Sequence, residues 1–220
     1  MSQYMGCFST KSSRRETNRL VCYPRVIFAI LVLLAFLLTL QVSPMYHASG
    51  QEPWTQWRGS VEHTGVSSGS VPSEGKLLWR YKTDNQVQSS PVFYDGNVII
   101  GSDDGRLYCL DGQSGDMLWK FTANDSVQAT ALIMGNRAYF GSLDGVFYCI
   151  SLPDTSGSGG EPKELWRYDC GTAIVSSAHA YEDSVLFGCH DGGLYRLSTD
   201  GDLIWRADLG WSEIWASPLI

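Results

Sequence analysis

The 220-residue sequence has none of the short motifs that usually identify an enzyme or a metalloprotein. Its six cysteines include no C-x-x-C pair and no two adjacent cysteines, so the spacing of a structural zinc site is absent. No Ser/His/Asp arrangement is recognisable, and the glycine-rich tract 157–160 lacks the lysine of a phosphate-binding loop. The histidines are not spaced as ligands of one metal ion: His47, His63, His179 and His190. The sequence therefore predicts no catalytic, cofactor-binding or metal-binding residue.

The sequence also has little positive charge after residue 50, and no long amphipathic helical pattern there. Residues 51–220 hold 11 of the 16 Lys and Arg but 22 of the 23 Asp and Glu, which gives them a net charge of −11. A nucleic-acid-binding protein needs a basic surface, so we expect no nucleic-acid partner. Short runs of Val, Ile, Tyr, Phe and Trp between Gly, Asp, Asn and Ser predict strands joined by turns.

One long apolar run follows a basic head at 1–25. Residues 26–40 are all apolar or small, and the pattern is typical of an export signal. Two alternatives remain open, a signal peptide cleaved after Gly50 or an uncleaved anchor helix over 26–43. Because the preceding positive charges keep the N-terminus in the cytoplasm, the rest of the chain is expected on the periplasmic or extracytoplasmic face. An uncleaved helix would hold it at the membrane, with 44–75 as a linker and lead-in segment.

The exported part contains an internal repeat of about 40 residues. Gly-x-x-Asp-Gly turns begin at Gly101, Gly141 and Gly188, so successive copies lie 40 and 47 residues apart. Tryptophans recur with spacings of 40, 47 and 39 residues, at Trp79, Trp119, Trp166 and Trp205. Both series lengthen at the same place, where the Ser/Gly-rich segment 152–162 is inserted between two strands.

Each copy predicts four antiparallel strands. In the first copy these are 86–94, 98–102, 106–110 and 117–121. Later copies begin again at 126–134, 173–181 and 213–220, and 76–82 is predicted as the outermost strand of a preceding unit. Four antiparallel strands in about 40 residues are typical of a β-propeller blade. We therefore expect an all-β β-propeller over 76–220, with three complete blades plus flanking strands, preceded by one N-terminal hydrophobic helix.

The recurring residues have mechanical roles in such a blade. Asp-Gly pairs at 104–105, 144–145 and 191–192 predict the positive φ angles of tight hairpin turns. His190 lies in the last of these turns and is expected to be exposed. The glycine that ends each second strand predicts a close approach of two backbones. The following Leu-Tyr or Phe-Tyr pair and the tryptophans predict packing between neighbouring blades.

The cysteines of the repeats fall into two sets. Cys109 and Cys149 occupy the same place in successive copies, whereas Cys170 and Cys189 lie within one unit. An oxidising compartment would permit a disulfide between Cys170 and Cys189. The alternative is that both are small buried residues.

The segment LYCLDGQSGDMLWKF at 107–121 resembles the repeat of the pyrroloquinoline quinone (PQQ)-like β-propeller family. Leu110, Asp111, Gly115 and Trp119 match the family pattern, and the Gly-His…Trp-Asp signature of WD40 blades is absent. The segment WTQWRGSVEHTGVSS at 54–68 is similar to the opening of exported proteins of this family. The resemblance covers about residues 54–220.

The resemblance implies two kinds of relative. Quinoprotein dehydrogenases hold PQQ and calcium at the propeller centre, with an adjacent-cysteine disulfide and acidic metal ligands. Non-enzymatic relatives, such as the propeller subunit of the outer-membrane β-barrel assembly machinery, use the blades for docking. Since none of the dehydrogenase residues can be placed here, the sequence favours a non-catalytic protein- or ligand-binding scaffold in the cell envelope, with no cofactor. The alternative is a fragment of a quinoprotein-like oxidoreductase that uses PQQ and calcium.

A complete propeller of this family has seven or eight blades and needs roughly 280–320 residues. The sequence therefore predicts a truncated product, a fragment, or an arc of blades that pairs with other chains. Such an arc would expose strand edges and an apolar interblade face.

Candidate partner-binding residues lie in the loops that enter each new blade, because these loops line the mouth of the central funnel. They are Gln88, Gln128, Trp211, Glu213 and Trp215. The segment GWSEIW departs most from its sister copies, and two aromatics around an acid resemble a binding hot spot. The alternative is that Trp211 and Trp215 pack between blades. In either case the partner is expected to be a protein of the cell envelope.

Overall fold

The computed structural model describes residues 54–59, 62–66, 74–154, 160–210 and 212–219. The basic head, the predicted helix 26–43 and Trp211 lie outside the described residues. Within the described part of the chain, no helix is long and apolar enough to cross a membrane.

The described strands form three four-stranded antiparallel sheets in which the strands follow one another in chain order. Blade 1 comprises β1 (Val92–Tyr94), β2 (Asn97–Gly101), β3 (Arg106–Asp111) and β4 (Met117–Thr122). Blade 2 comprises β5 (Leu132–Met134), β6 (Arg137–Gly141), β7 (Val146–Ser151) and β8 (Lys163–Asp169). Blade 3 comprises β9 (His179–Tyr181), β10 (Ser184–Gly188), β11 (Gly193–Ser198) and β12 (Leu203–Asp208). The prediction of an all-β fold with three complete blades is confirmed.

The predicted inner strands were too long. The segments 86–94, 126–134 and 173–181 are strand only in their last three residues, and 213–219 contains no strand in the described part. The preceding residues form no ladder: they bond both to their own blade, as Oγ of Ser89 donates to Gly101 O, and to a neighbouring one, as the amide of Val127 donates to Ser102 O. The predicted strand 76–82 is also wrong, because it forms no ladder with a described strand, although Trp79 packs on blade 1 as described below.

A close contact between a glycine and a β-branched residue sets the distance between successive blades. A methyl group at Gly101 would lie 2.7 Å from Cγ1 of Val127, which belongs to the segment entering blade 2. The same relation holds at the next two junctions, where a Cβ at Gly141 would lie 2.6 Å from Cβ of Ile174 and one at Gly188 would lie 2.9 Å from Cβ of Ile214. The predicted close approach is confirmed, and its partner is the next blade.

Hydroxyl side chains form further contacts between successive copies, in the segments that enter each blade. The amide of Ser90 donates to Oγ1 of Thr130 at 3.1 Å, and the amide of Thr130 donates to Oγ of Ser177 at 3.0 Å. The amide of Ser177 in turn donates to Oγ of Ser217 at 3.0 Å. Each bond crosses from one copy to the next, so the four residues form a hydrogen-bonded ladder around the inner edge.

The turns between second and third strands depend on both members of the Asp-Gly pair, but differently from the prediction. Only the glycine has a positive φ, 82° at Gly105, 84° at Gly145 and 78° at Gly192. The aspartate acts through its side chain. Asp144 accepts from the amide of Val146 at 2.9 Å and from the hydroxyl of Tyr148 at 2.7 Å. Equivalent hydroxyl bonds join Tyr108 to Asp104 and Tyr195 to Asp191. These carboxylates therefore stabilise turns.

The tryptophans pack between blades as predicted where a following blade supplies a glycine turn. The indole nitrogen of Trp79 donates to Gly112 O at 2.9 Å, and its ring covers Gly115. Trp166, on β8 of blade 2, packs in the same way against blade 3, and its indole nitrogen donates to Thr199 O at 2.9 Å. Trp205 is 37% exposed on the outer face of blade 3.

Two buried clusters fill the spaces between the three blades. In the second cluster, Phe147 of blade 2 stacks on Phe187 of blade 3 with ring centroids 4.0 Å apart, and Phe187 stacks on Tyr195 at 5.3 Å. Cys109 and Cys149 are buried within these clusters. Burial raises the pKa of Cys109 to about 12 and that of Cys149 to about 11, so both are packing residues with little thiolate character.

We predict that Gly141→Ala destabilises the protein by about 1–3 kcal/mol, because the new methyl group overlaps Ile174 and the blades cannot separate without losing their shared contacts. Urea denaturation of the two proteins measures the difference. The matched control is Gly75→Ala, since a Cβ at Gly75 meets no atom within 4 Å. Equal losses for the two variants would contradict the proposed role of the glycine contact.

Candidate functional site

The turn after each second strand and the segment that enters the next blade lie at the same end of the molecule, which we call the mouth. Asp103 lies in the first of these turns and accepts two amide side chains. Nε2 of Gln88 donates to Oδ2 of Asp103 at 2.6 Å, and Nε2 of Gln128 donates to Oδ1 at 3.0 Å. Two of the predicted partner-binding residues are therefore brought together by one carboxylate across the junction of blades 1 and 2.

The repeat identifies the equivalent positions at the other junctions. The amides of Asp103, Leu143 and His190 make the same bond, to Gln86 O, Ser126 O and Ala173 O respectively. Val175 stands in the third copy where Gln88 and Gln128 stand in the first two, and Trp215 stands in the fourth. The mouth is thus polar at the first junction, apolar at the second and aromatic at the third.

At the third junction Trp215 packs on His190 with ring centroids 4.4 Å apart. Its indole nitrogen donates to Oε2 of Glu213 at 3.1 Å, and the side chain remains 61% exposed. The prediction that His190 is exposed is wrong: it is half-buried, and its Nε2 is buried without a hydrogen-bond partner. The rings of Trp215 and His190 are tilted by 42° to each other. Glu213 and Trp215 therefore lie together, whereas Trp211 lies outside the described residues.

The described parts of the lead-in segment, 54–59 and 62–66, contact the inner edges of the blades. β1 and β5 are edge strands, and their outward amides need partners. The amide of Phe93 donates to Trp54 O at 2.7 Å, and the amide of Ile133 donates to Thr55 O at 2.8 Å. The segment thereby connects two blades that are distant from it in sequence.

The same segment brings together two histidines that sequence spacing did not connect. Nδ1 of His179, on β9, lies 3.1 Å from Nε2 of His63, and both side chains are buried. Burial lowers the pKa of His63, and the nearby His179 and Arg58 lower it further; burial also lowers the pKa of His179. The pair is therefore neutral near pH 7. Because 116 residues separate the two, no local motif could have revealed it.

A cavity of about 380 Å³ lies between blades 1 and 2, next to the inserted segment. At the other junctions a glycine turn receives the tryptophan, but here the insertion replaces that turn, and Leu152, Pro153 and Asp154 face Trp119. Tyr94 and Asp95 complete one wall of the cavity. The insertion thus converts a closed contact into an open pocket.

The described residues do not fit PQQ with calcium. Calcium requires six to eight oxygen ligands, several of them carboxylates. Within the described ranges, no three of His, Cys, Asp and Glu come together in a way that could hold a metal ion. At the mouth, the Asp103 carboxylate already accepts the side chains of Gln88 and Gln128. The adjacent-cysteine pair of the dehydrogenases is absent from the sequence.

Comparison with protein families gives one match. The model described as outer membrane protein assembly factor BamB matches residues 47–213, about three-quarters of the chain. No curated protein matches the sequence significantly.

Comparison with solved structures gives the same fold. BamB from Moraxella catarrhalis superposes with a TM-score of 0.54 at 22% identity, over 66% of this chain and 47% of that chain. Quinohemoprotein alcohol dehydrogenase from Comamonas testosteroni has a TM-score of 0.59 at 16% identity, over 71% and 27%. The computationally designed Ika4 protein has a TM-score of 0.55 at 21% identity, over 65% and 86%. The chain thus spans less than half the length of the two natural proteins, and these identities establish the fold alone.

We predict that stability falls as the pH is lowered below 6.5, because the unfolded histidines then bind protons that the buried His63–His179 pair does not. The loss is at most about 1.4 kcal/mol per pH unit for each histidine. Urea denaturation at several pH values between 7.5 and 5 measures it. In His63→Gln/His179→Gln the slope over this window should be smaller. An unchanged slope in the double variant would contradict the assignment.

Proposed function

Because this chain belongs to the PQQ-like β-propeller family of the outer membrane protein assembly factor BamB, we propose that it is a non-catalytic scaffold in the cell envelope that docks a protein at its mouth. The proposal joins three supports: the family, the export signal predicted at 26–43, and the chemistry of the mouth. An uncleaved export helix would hold the chain at the membrane.

The observation that carries the proposal is the distribution of differences among the three copies. Turn aspartates, interblade glycines and the Ser/Thr ladder repeat with little change, as expected of residues that build the fold. The mouth positions instead change from Gln88 and Gln128 to Val175 and then to Trp215. Variation of exposed residues along one surface of a repeat protein is typical of a recognition surface.

The mouth also has the composition of a docking surface. Trp215 is 61% exposed, yet its position is constrained by stacking on His190 and by its bond to Glu213. An exposed but oriented tryptophan binds with a small loss of side-chain entropy, and tryptophan is enriched in interface hot spots. Gln88 and Gln128, held by Asp103 at the first junction, offer further hydrogen-bonding groups two junctions away from Trp215.

The alternative is a fragment of a PQQ- and calcium-dependent oxidoreductase. The likeness to the quinohemoprotein alcohol dehydrogenase concerns the blades alone, at 16% identity. Within the described residues no three of His, Cys, Asp and Glu form a group that could hold a metal ion, so the residues for calcium would have to lie elsewhere. It remains distinguishable by experiment, because PQQ with calcium should then produce a saturable absorbance change and dye reduction.

We predict that a photo-crosslinking amino acid at position 215 or 128 captures the same envelope protein in cells producing the full chain. With that protein purified, Trp215→Ala should weaken binding by about 30-fold, the loss expected for a hot spot of about 2 kcal/mol. Isothermal titration calorimetry measures the affinities.

The matched control is the crosslinker at Gln113, an exposed residue in the turn between β3 and β4 at the opposite end of blade 1. It should capture nothing in common with the mouth positions. Identical capture at position 113, or equal affinity of Trp215→Ala and wild type, would overturn docking at the mouth. Dye reduction with PQQ and calcium would instead favour the oxidoreductase.

A further inference from the structure

Two cysteines lie at the junction of blades 2 and 3, one from each blade. Cys170 follows the end of β8, and Cys189 directly follows the glycine that ends β10. Backbone hydrogen bonds fix their places in the repeat. The amide of Cys170 donates to Gly145 O at 2.9 Å, just as the amide of Ala123 donates to Gly105 O at 2.8 Å one copy earlier.

The same two places hold no cysteine at the preceding junctions. They are occupied by Ala123 and Ser142 between blades 1 and 2, and Ser102 is the equivalent of Ser142 in blade 1. The hydroxyl of Ser142 donates to Asp125 O at 3.0 Å, a local bond that completes the turn. Only at the third copy are both places cysteine, so the change affects two residues that face each other across one junction.

The two thiols belong to one packed region. Cys170 packs against the buried cluster that contains Cys189, and the sulfur of Cys189 contacts Thr172, two residues after Cys170. Cys189 is fully buried, and its sulfur lies 3.1 Å from Oγ1 of Thr172 and 3.4 Å from Thr172 O. Cys170 is half-buried and is the member that a reagent can reach. Both are free thiols here.

We propose that Cys170 and Cys189 form an intramolecular disulfide by exchange with a small-molecule disulfide, and that the bond fastens blade 2 to blade 3 beside the mouth. Cys170 and Cys189 stand where Ala123 and Ser142 stand at the preceding junction. Because both places change to cysteine at the same junction, a reactive pair is favoured over two independent packing residues. The location matters because Cys189 directly precedes His190, on which Trp215 stacks.

The chemistry proceeds in two exchanges. Cys170 loses its proton to solvent and attacks oxidised glutathione, which forms a mixed disulfide and releases one glutathione thiolate. Cys189 then attacks the Cys170 sulfur, forms the protein disulfide and releases the second thiolate. The protein loses two protons and two electrons, and the glutathione disulfide takes up both electrons as two thiols.

The two environments differ. The neighbouring Cys189 and burial raise the pKa of Cys170 well above its usual range, so its attack on oxidised glutathione is slow near neutral pH and becomes faster as the pH rises. A hydrogen bond from Cys170 lowers the pKa of Cys189 to about 7, despite the opposing effect of burial. In the mixed disulfide Cys170 has no S–H left to donate, and the Thr172 hydroxyl, 3.1 Å from the sulfur, is the group that supports the Cys189 thiolate as it resolves the bond. Exposure assigns the first step to Cys170, since the fully buried Cys189 cannot meet glutathione directly.

The test treats the full chain with oxidised glutathione under native conditions, alkylates the remaining thiols and maps the peptides by mass spectrometry. We expect a Cys170–Cys189 disulfide and free Cys109 and Cys149. Because the bond closes a loop of about 20 residues, oxidation should raise Tm by roughly 5–10 °C. Full alkylation of Cys170 and Cys189 after this treatment would overturn the proposal, as would pairing of either with another cysteine.

Two variants separate the roles. Cys189→Ser should stop at a stable glutathione adduct on Cys170, whereas Cys170→Ser should form neither adduct nor disulfide and keep an oxidation-independent Tm. A glutathione adduct on Cys189 in Cys170→Ser would contradict the order of the steps. The matched transplant, Ala123→Cys/Ser142→Cys, should form a second disulfide at the preceding junction; its failure to do so would contradict the geometric argument. None of these outcomes depends on docking at the mouth.

Discussion

The contact between a strand-ending glycine and the β-branched residue of the next copy is the constraint on which the structure depends. Gly101, Gly141 and Gly188 let the incoming backbone lie against the end of the second strand, closer than any side chain would allow. That distance places the amide of Val127 within 3.0 Å of Ser102 O. The Ser/Thr ladder and the tryptophan contacts also require it, since both reach only between blades held at this spacing.

A repeated contact of this kind leaves few places where the copies can differ without loss of stability. Changes are tolerated where a group is not needed for stacking: in the mouth, in the turn between the third and fourth strands, and in the residues beside the glycine contact. All three kinds of place have been changed in this chain. The mouth gains Trp215, the second copy gains the insertion that opens the pocket beside Trp119, and the third gains the two cysteines.

The lead-in segment supplies hydrogen-bond acceptors that the antiparallel sheets leave missing at their inner edge. The first strand of each blade bonds to its own sheet on one side only, so its outward amides would remain unsatisfied at the inner edge. Trp54 O and Thr55 O accept two of them, and His63 continues to blade 3. The buried histidine pair is the consequence of threading a polar segment into this space, and it makes the inner edge sensitive to acid.

The sequence by itself determined the blades, because their signals are local. A turn needs glycine at a fixed place, a strand alternates its faces, and both repeat at the spacing of the tryptophans. Even the Asp144–Tyr148 bond follows from a spacing of four that recurs in all three copies. The limits of the inner strands were not local, since residues 86–91 have strand composition but form no ladder and bond instead to Asp103 and Gly101 of their own blade and to Thr130 of the next. Only the tertiary structure decided which residues meet across junctions: Asp103 with two glutamines, His63 with His179, and Cys170 with Cys189. These contacts join residues 15 to 116 positions apart in the sequence. A repeat pattern predicts the place of each residue within its blade, but not which residue of another copy it contacts.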